Sequence, residues 1–328
     1  TEIQLLFNEE SLYWNDSITI TNTKIINDIM SMTQESKSLI DESKANKIRE
    51  TEGENKLIVT QSNGSKDQMT FVFDTLYEIG YIEIEGKKYE PDYSFFRYLM
   101  DLNEYTDIDT NIDAKVLDIF NKYTWTVDYK INTIKEKLPD TLKHKAGEYP
   151  SKIYWAYNNQ LSKDIGFDFT RYLGMDVVVE IYRLREPLPE FMEPRRNARG
   201  IVLKYNDAII GAYIDAGRHE SFACSLDRKS LNDITGTNWG KWVADYIDNE
   251  DELEIRLSKM TPEDIIKEYF KALNKNDIQL SRACLTREKL SKELSTNLIN
   301  NYLFNEDNGK KDNNIKKAKL LSVEKMEG

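Results

Sequence analysis

Apolar positions along the chain fall into two spacings, and each predicts its own kind of element. In "NTKIINDIMSM" Ile25, Ile26, Ile29 and Met30 recur three and four apart, which places them on one stripe of a helix, with Asn22 or Thr23 available as its cap. In "YSFFRYLMDL" Phe95, Phe96, Leu99 and Met100 share a face in the same way, behind Asp92 as cap. Elsewhere the period drops to two. "IQLLF" and "SITIT" read as short strands, "KLIVTQSNGSKDQMTFVF" as a hairpin turning at Asn63-Gly64, and "GYIEIEGKKYEP" as a second hairpin turning at Gly86. Residues 1–127 are therefore expected to form a mixed α+β domain.

The pattern repeats downstream. "EYPSKIYWAYNNQLSKDIG" spaces Ile153, Tyr157, Leu161 and Ile165 by four and stops at Gly166, so it reads as a helix. "MDVVVEIYRL" is a strand, "EPLPEFMEPRRNARG" a loop with three of the seven prolines, and "GIVLKYNDAIIGAYIDAG" a hairpin turning near Asn206-Asp207. "NWGKWVADYI" is a short helix. These make a second α+β domain over 128–255, with a linker expected between Asp248 and Thr261. Residues 256–328 open on "TPEDIIKEYFKAL", where Thr261 caps, Pro262 suits the first helical position and Asp264 completes a capping-box pattern. Ile265, Ile266, Tyr269, Phe270 and Leu273 form its expected buried stripe. "DIQLSRACL" and "REKLSKELSTNLI" read as further helices, and "AKLLSVEKM" as a terminal strand. The expected fold class is α+β: two mixed α+β domains followed by a helical C-terminal segment.

One part of this pattern has a known counterpart. "TPEDIIKEYFKALNKNDIQLSRACLT" resembles the opening helices of the cone-shaped α+β fold called nuclear transport factor two-like, as it occurs in secreted and lipid-anchored proteins of low-GC Gram-positive bacteria. "LREPLPEFMEPRRNARGIVLKYNDAIIGAYIDAGRHESFACSLDRKSLNDITG" is similar to the segment that accompanies it in clostridial extracytoplasmic proteins of unknown function. The resemblance covers about the last half of the chain. It implies a cell-envelope location, at the surface or secreted, with a lipid anchor upstream left open, and it implies no assigned activity. Such cones carry several more strands after the helices where this chain offers one, so the segment is expected to be an incomplete cone or a different helical fold.

Composition narrows the function classes. Hydrophobic residues are 40% of the 328, enough for sizeable cores, and no run approaches the ~18 apolar residues of a membrane span. A net charge of -12 argues against a nucleic-acid binder, which needs a basic face for phosphates. Two cysteines, Cys224 and Cys284, allow one disulfide at most.

Candidate chemistry concentrates in "AGRHESFACSLDRKS", which gathers His219, Ser221 and Cys224 in a chain with two His and two Cys. A nucleophilic Cys needs its thiolate favoured by a base or a positive charge. On one strand, His219 and Cys224 would face opposite ways, so the plainer reading is a core cysteine beside Phe222 and Leu226 and a histidine near a turn. A hydrolase or transferase using His219 with Cys224 or an acidic neighbour is the alternative. Ser221 lacks a Gly-x-Ser-x-Gly elbow. His144 and His219 stand in no zinc motif, "DLNEYTDIDTNID" lacks the Gly and terminal Glu of an EF-hand loop, and no phosphate-binding glycine loop is present. Glu83 and Glu85 share the outer face of a strand and read as solvated. No cofactor or metal is expected.

The arginines are distributed unevenly. Between residues 171 and 228 lie eight Arg and one Lys, against five Arg and 31 Lys elsewhere. The same span holds nine acids, enough to pair every Arg, so fixed Arg–carboxylate pairs are one reading. The other is that Arg195, Arg196 and Arg199, on the proline-rich loop, converge with Arg218 and His219 to hold an anionic group of a cell-envelope ligand or protein partner. The overall expectation is a non-enzymatic, extracytoplasmic binding or sensing protein.

Overall fold

The computed structural model describes residues 1–7, 17–35, 38–74, 79–92, 94–104, 108–192, 198–216, 222–286 and 288–289. The chain divides into two compact units, Thr1–Thr110 and Asn111–Gly328. Both combine helices with an antiparallel sheet, the α+β class expected from the spacing.

In the first unit β1 (Glu2–Leu6), β2 (Ser17–Ile20), β3 (Asn55–Thr60), β4 (Lys66–Asp74), β5 (Ile79–Ile84) and β6 (Lys87–Tyr89) lie in the order β2-β1-β3-β4-β5-β6. The β3–β4 hairpin turns where expected, but Gly64 alone takes the positive φ, 83°, while Asn63 accepts a hydrogen bond from the Ser65 amide at 2.9 Å. The β5–β6 turn uses two left-handed residues, Glu85 at φ 50° and Gly86 at 76°, a backbone that follows the twist of the strands. Alternation along β4 sends Phe71 and Phe73 to one face and Val72 to the other. The helices here are α1 (Thr23–Glu35), α2 (Glu42–Glu52) and α3 (Ser94–Glu104). Asn22 caps α1, its Oδ1 accepting from the Lys24 and Ile25 amides at 3.0 and 3.3 Å. Phe96 of α3 stacks on Phe73 at 5.5 Å, and Tyr98 donates to Asp28 of α1. On the opposite face α2 presents Ala45 and Ile48 to Val72 and Tyr81.

In the second unit β7 (Val127–Lys137), β8 (Asp176–Leu184), β9 (Arg199–Tyr205) and β10 (Ala208–Asp215) run in the order β10-β9-β8-β7. One face is covered by α4 (Ala114–Lys122), whose Val116 and Phe120 pack with Tyr182, Val202 and Ile214. Gly200 lies under the Phe120 ring, where a Cβ would collide with it. The other face is covered by α5 (Ser151–Asp164), buried on nearly every side because Ile153, Trp155, Tyr157 and Leu161 find apolar neighbours. Ser162 of α5 bonds both the amide and the carbonyl of Ala212 at 3.2 Å, and Ile214 exchanges backbone bonds with Cys224 at 2.9 Å. Together they close the outer edge of β10, which would otherwise offer bare amides and carbonyls.

Five short helices follow: α6 (Leu231–Thr235), α7 (Trp239–Ala244), α8 (Glu252–Ser258), α9 (Pro262–Lys275) and α10 (Ile278–Ala283). The stretch read as a linker, Asp248–Thr261, contains α8. Thr261 caps α9 as expected, but its stripe of Ile265, Ile266, Tyr269, Phe270 and Leu273 is half-buried, with Ala272 the buried residue of that helix. The further helix and strand expected after α10 fall outside the described residues, apart from Glu288 and Lys289. Among the described residues no helix is long and apolar enough to cross a membrane.

Candidate functional site

Among the described residues, three of the eight arginines are held by carboxylates, Arg183 and Arg185 by Asp128 and Arg199 by Asp215. Register aligns Tyr129, Arg183, Arg199 and Asp215 as direct neighbours across the four strands, so their side chains share one face. All four are buried. Arg199 grips Asp215 with two parallel bonds, Nε to Oδ1 at 2.7 Å and Nη2 to Oδ2 at 2.9 Å. Asp128, fully buried, accepts from Arg183 and takes Arg185 Nε and Nη2 at 3.0 and 2.6 Å. Arg228 lies over the Trp125 ring at 4.0 Å and donates to the Tyr123 carbonyl at 2.8 Å. These are the planar-fork contacts that Lys would not reproduce, which accounts for the guanidinium preference at four of the eight positions.

Of the residues singled out as an anion site, Arg199 is therefore engaged inside the sheet. Arg195, Arg196, Arg218 and His219 lie outside the described residues, as does Ser221. Their two segments attach at neighbouring points, since Ala198 and Ala216 each sit one residue beyond the paired Arg199 and Asp215. Cys224 is fully buried in its bridge to Ile214, and burial pushes its thiol up to about 12, away from the thiolate. Among the described residues no group of three His, Cys, Asp or Glu is placed to hold a metal.

A cleft of about 580 Å3 is bounded by Tyr157 of α5, Phe191 and Met192 of the loop after β8, Phe222, and Leu231 and Trp239 at the starts of α6 and α7. Tyr157 stacks on Phe222 at 5.3 Å, Phe222 meets Trp239 at 5.2 Å, Trp239 meets Trp242 at 5.7 Å, and Trp242 meets Tyr246 at 4.5 Å. Tyr157 is fixed from behind, its hydroxyl donating to the Ala223 carbonyl at 2.9 Å, and burial pushes its pKa well up, so it stays neutral. Phe191 is 53% exposed at the mouth.

Local capping places these rings. Ser230 and Asp233 form a reciprocal capping box at the start of α6, and the Asn238 side chain accepts from the Lys241 amide to start α7 at Trp239. The polar wall is used up by the same contacts. Ser230 donates to Asp233 at 2.6 Å, and Thr237 meets Thr235 at 3.0 Å. Among the described residues the lining holds no charged side chain and offers Asn232 as its remaining polar group, so this part of the wall suits an apolar or aromatic body more than a sugar, which needs several free hydrogen-bonding groups. The cleft was not read from the sequence. The available signal was the pairing of Trp239 with Trp242 three apart, in a chain with five Trp.

Two segments of this unit match known family models. Residues 119–214 match a domain of unknown function (DUF4830), and residues 263–328 match another domain of unknown function (DUF4829). No curated protein and no solved structure matches the chain.

Proposed function

We propose that the second unit is a non-catalytic binding module whose aromatic cleft holds an apolar or aromatic group of its ligand. The observation that carries this is the cleft itself: four rings around about 580 Å3, with no charged side chain among the described residues of the lining. The anionic part of the ligand is the role of Arg195, Arg196, Arg218 and His219. Their segments join the cleft at Met192 and Phe222, both of which line it, so an amphiphile with an apolar body and an anionic head fits the sequence order. The setting proposed is extracytoplasmic, at the cell envelope, with α9 and α10 as the opening of a nuclear transport factor two-like cone. That rests on the resemblance of this half of the chain to secreted and lipid-anchored clostridial proteins. A hydrolase or transferase on His219 with Cys224 gains no support, because the thiol is held protonated by burial.

Two experiments test this reading. Titration with an apolar aromatic anion should give one saturable site in the wild type and a weaker one in Trp239→Ala. Fractionation of cells making the native precursor should recover the protein outside the cytoplasm; recovery in the cytoplasm would overturn the location.

A further inference from the structure

Away from the cleft, His144, Glu148, Glu254, Arg282, Thr286 and Lys289 surround a small hollow of about 60 Å3. It forms where the two matched segments meet, His144 and Glu148 from 119–214 and Arg282 and Lys289 from 263–328. Gly147 makes the approach possible: with φ 74° it lets the α10 backbone in at Gln279, where a Cβ would collide with the carbonyl. His144 is 5% exposed, its amide donates to the Tyr246 carbonyl at 2.7 Å, and its carbonyl accepts from the Asp248 amide at 2.8 Å. Its Nδ1 is buried and has no hydrogen-bond partner.

Two cations beside it are also uncommitted among the described residues. Arg282 lies over the Tyr149 ring at 5.0 Å and pairs with no carboxylate. Lys289 makes no ion pair with its ammonium group. Glu148, in contrast, is held by Lys152 at 2.9 Å and accepts from the Lys145 amide at 3.1 Å. In the lining itself Arg282 and Lys289 balance Glu148 and Glu254.

We propose that this hollow binds a single carboxylate supplied by a second molecule. The Arg282 fork takes the carboxylate oxygens and His144 Nε2–H donates to one of them, with Lys289 adding charge. The volume admits a group the size of a few waters and nothing much larger. Because the lining's own charges cancel, one carboxylate on the Arg282 fork is the most the hollow takes, and a phosphate's second charge has no counterpart. Such a ligand joins the two matched segments, so it is expected to stabilise them together.

The test uses the full chain with 15N-labelled histidine, the two ring systems being distinguished by His144→Gln. At constant ionic strength and pH 7, acetate is expected to shift the His144 Nε2 resonance and to raise Tm by about 3 °C at ten times its Kd. Acetamide and inorganic phosphate are expected to do neither. An N-acetyl dipeptide acid added in parallel identifies the source: binding by both marks a chain terminus as ligand, and binding by acetate alone marks a free small acid. Arg282→Gln should abolish the shift with the unliganded Tm unchanged, since Arg282 touches only a ring. If that variant melts early, Lys289→Gln should weaken acetate several-fold. An Nε2 signal that acetate leaves unmoved, that acetamide moves equally, or that responds alike in both variants overturns the site.

Discussion

Arg199→Lys and Arg199→Met probe whether the guanidinium preference is structural. The Arg199 side chain is 4% exposed and that of Asp215 is 1%, and two bonds join them. Lysine keeps the charge but meets the carboxylate from one point, so one charge-assisted bond is lost, at about 1.5–3 kcal/mol. Methionine removes the cation that grips a buried carboxylate, at about 3–5 kcal/mol. At ~2–4 °C per kcal/mol for a unit of this size, Lys lowers Tm by about 3–12 °C and Met by about 6–20 °C. Tryptophan fluorescence during urea unfolding reads mainly the right unit, because four of the five Trp, Trp125, Trp155, Trp239 and Trp242, belong to it, and a Trp14→Phe background removes the fifth. Removing the pair together, as Arg199→Met with Asp215→Leu, should recover at least 1 kcal/mol relative to Arg199→Met alone. A Lys variant within ~0.5 kcal/mol of wild type, or a Met variant no worse than Lys, would refute the argument.

Three other outcomes follow from the packing. Gly200→Ala forces a methyl into the Phe120 ring and should cost about 1–3 kcal/mol by urea unfolding, while Gly166→Ala, where a Cβ meets open space, should cost only its backbone strain. Burial lowers the His144 pKa from its ordinary 6.5 to about 4. The unfolded chain then takes up a proton that the folded chain refuses, so this contribution is complete above pH 6.5 and is lost as pH falls towards 4, about 3 kcal/mol in all; a His144→Gln series in urea should lack that slope. Among thiols, Cys284 should react with a disulfide reagent in the native state, and Cys224 only as fast as the unit opens; rapid native labelling at Cys224 would contradict its place in the core.

Elements whose signal is local could be read from the sequence. Thr261-Pro262 and Asn206-Asp207 specify a helix start and a left-handed turn whatever surrounds them, and both stand where the chain predicts. α2 escaped because it is nearly all polar and, among its described side chains, buries Ala45 and Ile48, too few for a stripe. β7 escaped because register shifts at Val127/Tyr129 and Lys130/Asn132 break its alternation. The α9 stripe was overread as buried, since periodicity reports which side chains align and not what covers them. Abundance of acids near the arginines was legible, but the partners were not: Arg199 chooses Asp215 through strand register, 16 residues away. The cleft is illegible for a related reason, since Tyr157, Phe191, Phe222 and Trp239 come from four separate segments joined only by the fold.

The most direct test of the cleft is 19F NMR on the full chain labelled with 5-fluorotryptophan, titrated with 8-anilinonaphthalene-1-sulfonate, an apolar aromatic body carrying one anionic group. Trp239 lines the cleft and Trp242 packs against the Trp239 ring, while Trp125 and Trp155 are buried elsewhere. The Trp239 and Trp242 lines should therefore move first and saturate at one equivalent, with Phe222→Ala weakening binding about ten-fold. Lines that all move together, or a Trp239 line that stays still while the dye binds, would contradict a binding role for the cleft.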